Sequence, residues 1–325
     1  MNSIEQLKKP VTEEFKLFDI QFKKALESNN EILKDVHSYI SENKGKQIRP
    51  LLTFLAAKVC ENSNFNTICA AVSLELLHTA SLVHDDIVDD TTERRGRKSV
   101  NAIWKNKIAV LVGDYLLAKA LSIANQTKNL AISDNITNLG KELIEGELLQ
   151  IQTIKNISIE EEKYFEIIHK KTATLFSSCT TLGAISANAN EKDIEILRQF
   201  GNIYGICFQI RDDIFDYISS EKEIGKPVGN DIKEGRITLP LIYALNNASE
   251  KIKEEHIKII KKRYFAPKNI EKLLTFAKQN GGIEYAEKKI QDFINKGIEI
   301  IQPFSDSEAK NSLILTLKHT IDRKN

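Results

Sequence analysis

Proline and glycine are scarce in this chain of 325 residues: 6 and 14 in all, with neither between Gly113 and Gly140 or between Gly146 and Gly183. Strands closed by turns every 8–12 residues cannot be fitted to such stretches. Cysteine is equally sparse. Cys60, Cys69, Cys179 and Cys207 have no C-x-x-C spacing, which argues against a zinc site or redox motif and for reduced core thiols. Net charge is almost absent, at +1, so no global field draws the chain to nucleic acid or an anionic surface, and no nucleic-acid partner is expected. The opening MNSIEQLKKPVTEEF has no apolar core, and no uninterrupted run of 18 apolar residues follows. Neither a signal peptide nor a membrane span is expected, and the reading is a cytoplasmic chain.

What is present is helical periodicity. Leu76, Ala80, Val83 and Ile87 form one apolar stripe, and Ile203, Cys207, Ile210 and Ile214 another. An all-α fold is expected, with ten or more helices in a single domain over residues 1–325, since no linker-like tract divides the chain.

One short pattern recurs at the ends of these stripes. HDDIVDD at 84–90 and RDDIFDY at 211–217 both hold Asp-Asp-x-x-Asp. On a helix, Asp85, Asp86 and Asp89 share a face with Cβ atoms roughly 5–6 Å apart, as do Asp212, Asp213 and Asp216. Two carboxylates that close repel by about 3 kcal/mol at an effective dielectric near 20. A solvated acidic face would explain one such cluster, but not two, each on an apolar helix. Hard oxygen ligands of this kind suit Mg²⁺, which completes its shell with water and phosphate oxygens. An HD-type phosphohydrolase site would need more ligands; His37, His78, His169, His256 and His319 stand in no matching context.

Anion-binding groups stand close by. Arg94 and Arg95 follow the first cluster, and arginine forks onto phosphate. Further basic groups occur in GKQIRP (45–50), KKTATLF (170–176) and GKPVGND (225–231). In the last, Gly225 and Gly229 would let the backbone approach an anion that Lys226 reaches.

These segments, with GDYLLAKA (113–120), EGELLQ (145–150), FQIRDDIFD (208–216) and the continuation to Leu245, resemble the trans-isoprenyl diphosphate synthase (polyprenyl synthetase) family from about residue 43 to 245. The resemblance implies an all-α isoprenoid-synthase bundle around a central cavity, assembled as a homodimer. It implies head-to-tail (1′-4) condensation of isopentenyl diphosphate onto an allylic diphosphate primer. The family's cofactor is Mg²⁺, three ions per site with substrate bound, with Mn²⁺ able to substitute. Position by position, Asp85, Asp89 and Asp212 would ligate the metal, with Asp86 and Asp216 in support and Asp213 completing the second cluster. Arg94, Lys171 and Lys226 would grip the allylic diphosphate. Lys46, Arg49, His78 and Arg95 would take isopentenyl diphosphate. Thr172 and Gln209 would face the developing allylic cation, and Asp231 would hold a metal-bound water. The chain departs from the family pattern at Asn43, Lys44, Gln47 and Lys98, none assigned a direct role.

Product length turns on the residues one helical turn before Asp85. Ala80 and Ser81 are small, where members stopping at farnesyl or geranylgeranyl length usually place Phe or Tyr. A long-chain product of six to eight isoprene units for quinone side chains is expected, with transient membrane contact at product release and a geranylgeranyl-type product as the rival. A non-catalytic partner subunit would lack one or both acidic motifs, and a terpene cyclase or squalene-type synthase would not need GKQIRP, His78 or Arg95. No role is read for residues 246–325.

Overall fold

The computed structural model describes residues 3–42, 45–94, 96–218, 228–262 and 265–322. Arg95 and Lys226, both expected at the site, lie outside these. Among the described residues the regular structure is helical, except for a two-stranded ribbon of β1 (Glu93–Arg94) and β2 (Arg97–Lys98). Two compact units are formed, one from residues 1–140, 175–201 and 300–316, the other from 141–174, 202–299 and 317–325.

The first unit holds α1 (Ser3–Lys8), α2 (Thr12–Ala25), α3 (Glu31–Glu42), α4 (Ile48–Cys60), α5 (Phe65–Val88) and α6 (Val100–Gln126). Helix α5 starts where the sequence offers a cap. The Asn64 side chain accepts from the Asn66 and Thr67 amides at 2.8 and 3.2 Å, and Thr67 Oγ1 accepts from the Asn64 amide. That closes a capping box, worth about 1 kcal/mol. The helix packs most extensively on α6 and also on α4 and α2. Phe15, Phe18, Phe22 and Phe54 interlock beside it with centroids 5.4–6.4 Å apart. Phe18 and Phe54 are fully buried, each stabilising the unit by about 1.5–3 kcal/mol.

Two helices, α5 and α6, are long and apolar enough by composition to cross a membrane, with mean hydropathies of 1.3 and 1.5. Isolated polar residues interrupt the apolar run in each. Helix α5 has 72% of its most apolar window buried, as a core helix would; α6 has only 33%. Helix α6 also carries a break that its periodicity does not announce, at Lys105 with φ 71°.

The second unit takes in the later part of α7 (Leu130–Asn156), then α8 (Glu161–Ile168), and the later part of α10 (Glu191–Ile218). It continues through α11 (Asn230–Lys233), α12 (Leu239–Asn246), α13 (Glu250–Lys261), α14 (Pro267–Gln279) and α15 (Gly282–Ile300). Helices α9 (Thr174–Ser186) and α16 (Glu308–Asp322) complete the described chain. Leu241, Leu245, Leu273, Phe276 and Ala277 pack around Tyr217, whose buried hydroxyl pairs with Thr238 Oγ1 at 2.9 Å. Residues 246–325, left without a role above, thus supply much of this core. All four cysteines are free thiols, three buried and Cys60 half-buried.

Candidate active site

In the first unit the acidic cluster occupies the last turn of α5, with Asp89 as its C-cap. Carboxylates there face the helix's unpaired carbonyls, the negative end of its dipole, so the cluster needs cations nearby. Arg94 supplies one. Its Nε and Nη2 reach Asp86 Oδ1 at 2.8 and 2.7 Å, with the Asp86 side chain only 5% exposed. The guanidinium is delivered by the β1–β2 ribbon, in which Arg94 faces Arg97, and Gly96 takes φ 72°. Asn101 Nδ2 donates to the Asp86 and Thr91 carbonyls at 3.1 and 3.2 Å, fixing the segment that leaves the helix. Tyr39 donates to the Lys98 carbonyl at 2.6 Å from the other side.

One cavity beside this helix end brings together His78, Asp86 and Arg94 with Gly45, Gln47 and Lys98. Lys46 and Arg49 are not among its lining residues. Lys46 is exposed, and the Arg49 guanidinium lies 5.4 Å over the Phe176 ring. Ala80 and Ser81 do not line the cavity either; Thr79, Leu82 and Val83 do. Ala80 is buried, and the Ser81 hydroxyl donates to the His78 carbonyl at 2.9 Å. His84 Nε2 is directed at α6, 3.2 Å from the Val110 carbonyl and 3.5 Å from Asp114, which leaves an HD-type site without its histidine.

In the second unit, Lys171 and Thr172 sit on a single π-turn, His169–Ala173, between α8 and α9. Such turns carry an extra residue per turn and re-aim side chains. Nothing in the periodicity signals it. Helix α7 crosses this turn so closely that a Cβ on Gly146 would stand 2.9 Å from both Lys170 Cβ and the Lys171 nitrogen. That explains the glycine of EGELLQ. Glu147, the residue after that glycine, holds Lys171 at 2.5 Å, while Lys170 pairs with Glu142 and Glu145 at 2.8 Å each. Those two pairings raise the Lys170 ammonium above its ordinary range.

A cavity in this unit is lined by Tyr164, Lys171, Thr172, Gln209, Asp213, Asp231 and Arg236. Thr172 donates to Gln209 Oε1 at 2.7 Å, Gln209 donates to Asp213 Oδ1 at 2.8 Å, and Tyr164 donates to Asp213 Oδ2 at 2.6 Å. Burial is the main reason Asp213 holds its proton well above the usual carboxylate range; the Asp231 charge adds to it, while the Tyr164 and Gln209 bonds oppose it. Burial, then the Asp213 charge, also raises the Tyr164 hydroxyl.

Asp216, expected in support of the metal, carries protein donors on both carboxylate oxygens. Its two oxygens accept the Asn230 and Asp231 amides at 3.0 Å each, and its carbonyl accepts the Gly229 amide at 3.0 Å. Gly229 stands at φ 81°, and the amides that follow it are committed to Asp216 rather than turned to an anion. Burial raises the Asp216 carboxyl, and these amides pull it back. Arg236 reaches Glu234 at 2.7 Å and Asp231 at 3.6 Å.

Tyr164, Glu147 and Arg236 went unassigned in the sequence. Arg236 follows Gly235 in the segment that continues from GKPVGND to Leu245, which was a usable signal. Tyr164 lies 49 residues from Asp213, and no spacing rule connects them.

Among the described residues no group of three or more His, Cys, Asp or Glu side chains converges as a closed metal cage. A few carboxylates per helix end, some already tied to protein donors, fit a cation that keeps water and takes substrate phosphate oxygens, as Mg²⁺ does. Asp85 is half-buried and Asp89 exposed at the end of α5, and Asp212 is half-buried on α10.

A polyprenyl synthetase family model matches residues 30–277. A Rhodobacter capsulatus protein described as all-trans-nonaprenyl-diphosphate synthase (geranyl-diphosphate specific) is 33% identical over 97% of this chain and 96% of its own. A geranylgeranyl pyrophosphate synthase structure from Bacteroides thetaiotaomicron is 40% identical, covering 99% of this chain and 100% of its own at a TM-score of 0.86. A polyprenyl synthase from Caulobacter crescentus, complexed with calcium and isoprenyl diphosphate, is 27% identical with 99% and 98% coverage and a TM-score of 0.93.

Proposed function

Since the chain belongs to the polyprenyl synthetase family and is a prenyltransferase, we propose that it extends an allylic diphosphate by successive 1′-4 additions of isopentenyl diphosphate. The observation that carries this reading is the repeated Asp-Asp-x-x-Asp at the ends of two long apolar helices, each beside cationic or amide donors.

Asp85, Asp89 and Asp212 would hold Mg²⁺, which when bound neutralises the departing diphosphate. Arg94, Lys171 and Lys226 bind that diphosphate, and the ammonium of Lys171 has donors to share between it and Glu147. Lys46, Arg49, His78 and Arg95 bind isopentenyl diphosphate. As the allylic carbon–oxygen bond opens, positive charge grows on carbon, and side-chain dipoles facing it stabilise that charge. Apolar walls exclude water, which would capture the cation. The charge and positioning of these groups supply the catalysis.

The product is assigned six to eight isoprene units. Ala80 and Ser81 place no aromatic stop one turn before Asp85, and the Rhodobacter relative is described as a nonaprenyl enzyme. The Bacteroides relative is described as making geranylgeranyl pyrophosphate, so a twenty-carbon product is the competing outcome. Labelled isopentenyl diphosphate and a farnesyl primer with Mg²⁺ decide between them: products of thirty to forty carbons are expected, and a product ending at twenty overturns the long-chain assignment.

A homodimer through α6 completes the proposal. Ile103, Val110 and Leu111 are exposed on that helix at 39, 41 and 57%. A second copy would cover them, and the mass in sedimentation, two chains against one, tests it.

A further inference from the structure

We propose that the Tyr164 hydroxyl is a positioning group that, acting through Asp213 and Gln209, sets the direction of the Thr172 hydroxyl in the cavity they share. Hydrogen-bond polarity carries the direction from one side chain to the next. The Asp213 carboxyl is held at both oxygens, Oδ2 by the Tyr164 hydroxyl at 2.6 Å and Oδ1 by Gln209 Nε2, which can only donate, at 2.8 Å. An amide has one donor end and one acceptor end, so committing its nitrogen to Asp213 turns its oxygen to Thr172. Thr172 must then give its only proton to Gln209, at 2.7 Å. What remains of that hydroxyl to face the cavity is lone pairs.

Tyr164 is the fixed end of this chain. It is 6% exposed, and its ring packs edge-on against Phe165 with centroids 5.4 Å apart. Asp213 is 4% exposed, so no bulk water competes for its oxygens. Removing the hydroxyl frees Asp213 to turn. Gln209 is then free to flip, and Thr172 can point its proton into the cavity. A donor there opposes a positive charge on the substrate; an acceptor favours it.

This rests on the proposed reaction in one respect, that positive charge builds on an allylic carbon in this cavity. The test is steady-state kinetics of Tyr164→Phe, alone and in a Thr172→Val background, on the full chain with Mg²⁺, isopentenyl diphosphate and an allylic primer. Tyr164→Phe should lose about 10- to 100-fold in kcat, with both KM values within about twofold, since the dipole matters only as charge develops. In the Thr172→Val background the same change should cost less than about threefold, because the group it orients is gone. Thr172→Ser, which keeps the hydroxyl, should restore most of the activity lost in Thr172→Val. A merely structural tyrosine would give equal losses in both backgrounds and a lowered melting temperature, and that overturns the proposal. Unchanged kcat in Tyr164→Phe overturns it too. Thr172→Val needs no tyrosine variant to fold, and full activity there is equally fatal. If the unaltered chain consumes no isopentenyl diphosphate, the reaction assignment fails first, and the two failures are distinct.

Discussion

Replacing Gly146 with alanine places one methyl group where helix α7 meets the π-turn bearing Lys171 and Thr172. The added Cβ would lie 2.9 Å from Lys170 Cβ, 2.9 Å from the Lys171 nitrogen and 3.1 Å from the Lys170 carbonyl carbon, against 3.4–4 Å for ordinary contact. All three are backbone or Cβ atoms, so no flexible side chain can swing away and the turn itself must move. Overpacking of this kind costs about 1–3 kcal/mol. Alanine in a helix interior returns about 1 kcal/mol, leaving a net loss of about 0–2 kcal/mol. Gly140, on the same helix, provides the comparison. A Cβ there would meet only Leu77 Cδ1, at 3.8 Å, so Gly140→Ala keeps the propensity gain without the clash. The two variants should therefore differ in urea-denaturation free energy by about 1–3 kcal/mol, Gly140→Ala being the more stable. Activity separates them further. A shift of a few tenths of an ångström in the turn displaces Lys171 and Thr172 together, and kcat should fall about tenfold or more in Gly146→Ala while Gly140→Ala stays near the unaltered value. Equal stabilities and equal kcat values would refute the claim that close approach at Gly146 holds the turn.

The remaining predictions concern the thiols and the product. Burial pushes Cys60, Cys179 and Cys207 up to about 12 and Cys69 to about 11, so iodoacetamide at pH 8 should leave the native chain unmodified and react about a thousandfold faster once urea restores ordinary thiols. The folded state disfavours the thiolates; its stability is therefore whole below about pH 8.5 and declines as pH rises from there toward 11–12, and flat stability over that range would contradict the burial argument. Ala80→Tyr puts an aromatic side chain one turn before Asp85 at a position 2% exposed; products should shorten, and an unchanged length distribution would remove Ala80 from the tail's path.

The parts legible in the sequence are those set by local spacing. The i, i+3, i+4 pattern gives both aspartate helices, and α5 and α10 end at them. Asn64 at the start of α5 is a cap of the kind read from residue type. Long-range pairing was not legible. Asp216 reaches across to the amides of Asn230 and Asp231, and Tyr164 reaches across 49 residues to Asp213, so both aspartates are tied to protein donors that no periodicity places. The π-turn at His169–Ala173 and the break at Lys105 depend on tertiary packing that overrides local propensity. The individual charges were visible; Glu147 holding Lys171 was not, since that contact needs α7 laid across the turn.

The most direct test of the account is incorporation of labelled isopentenyl diphosphate by the purified chain, with and without an allylic primer, in Mg²⁺ and again in excess EDTA. Incorporation should require both primer and metal and yield a ladder of products differing by five carbons. No incorporation with geranyl, farnesyl or geranylgeranyl primers in Mg²⁺ would contradict it.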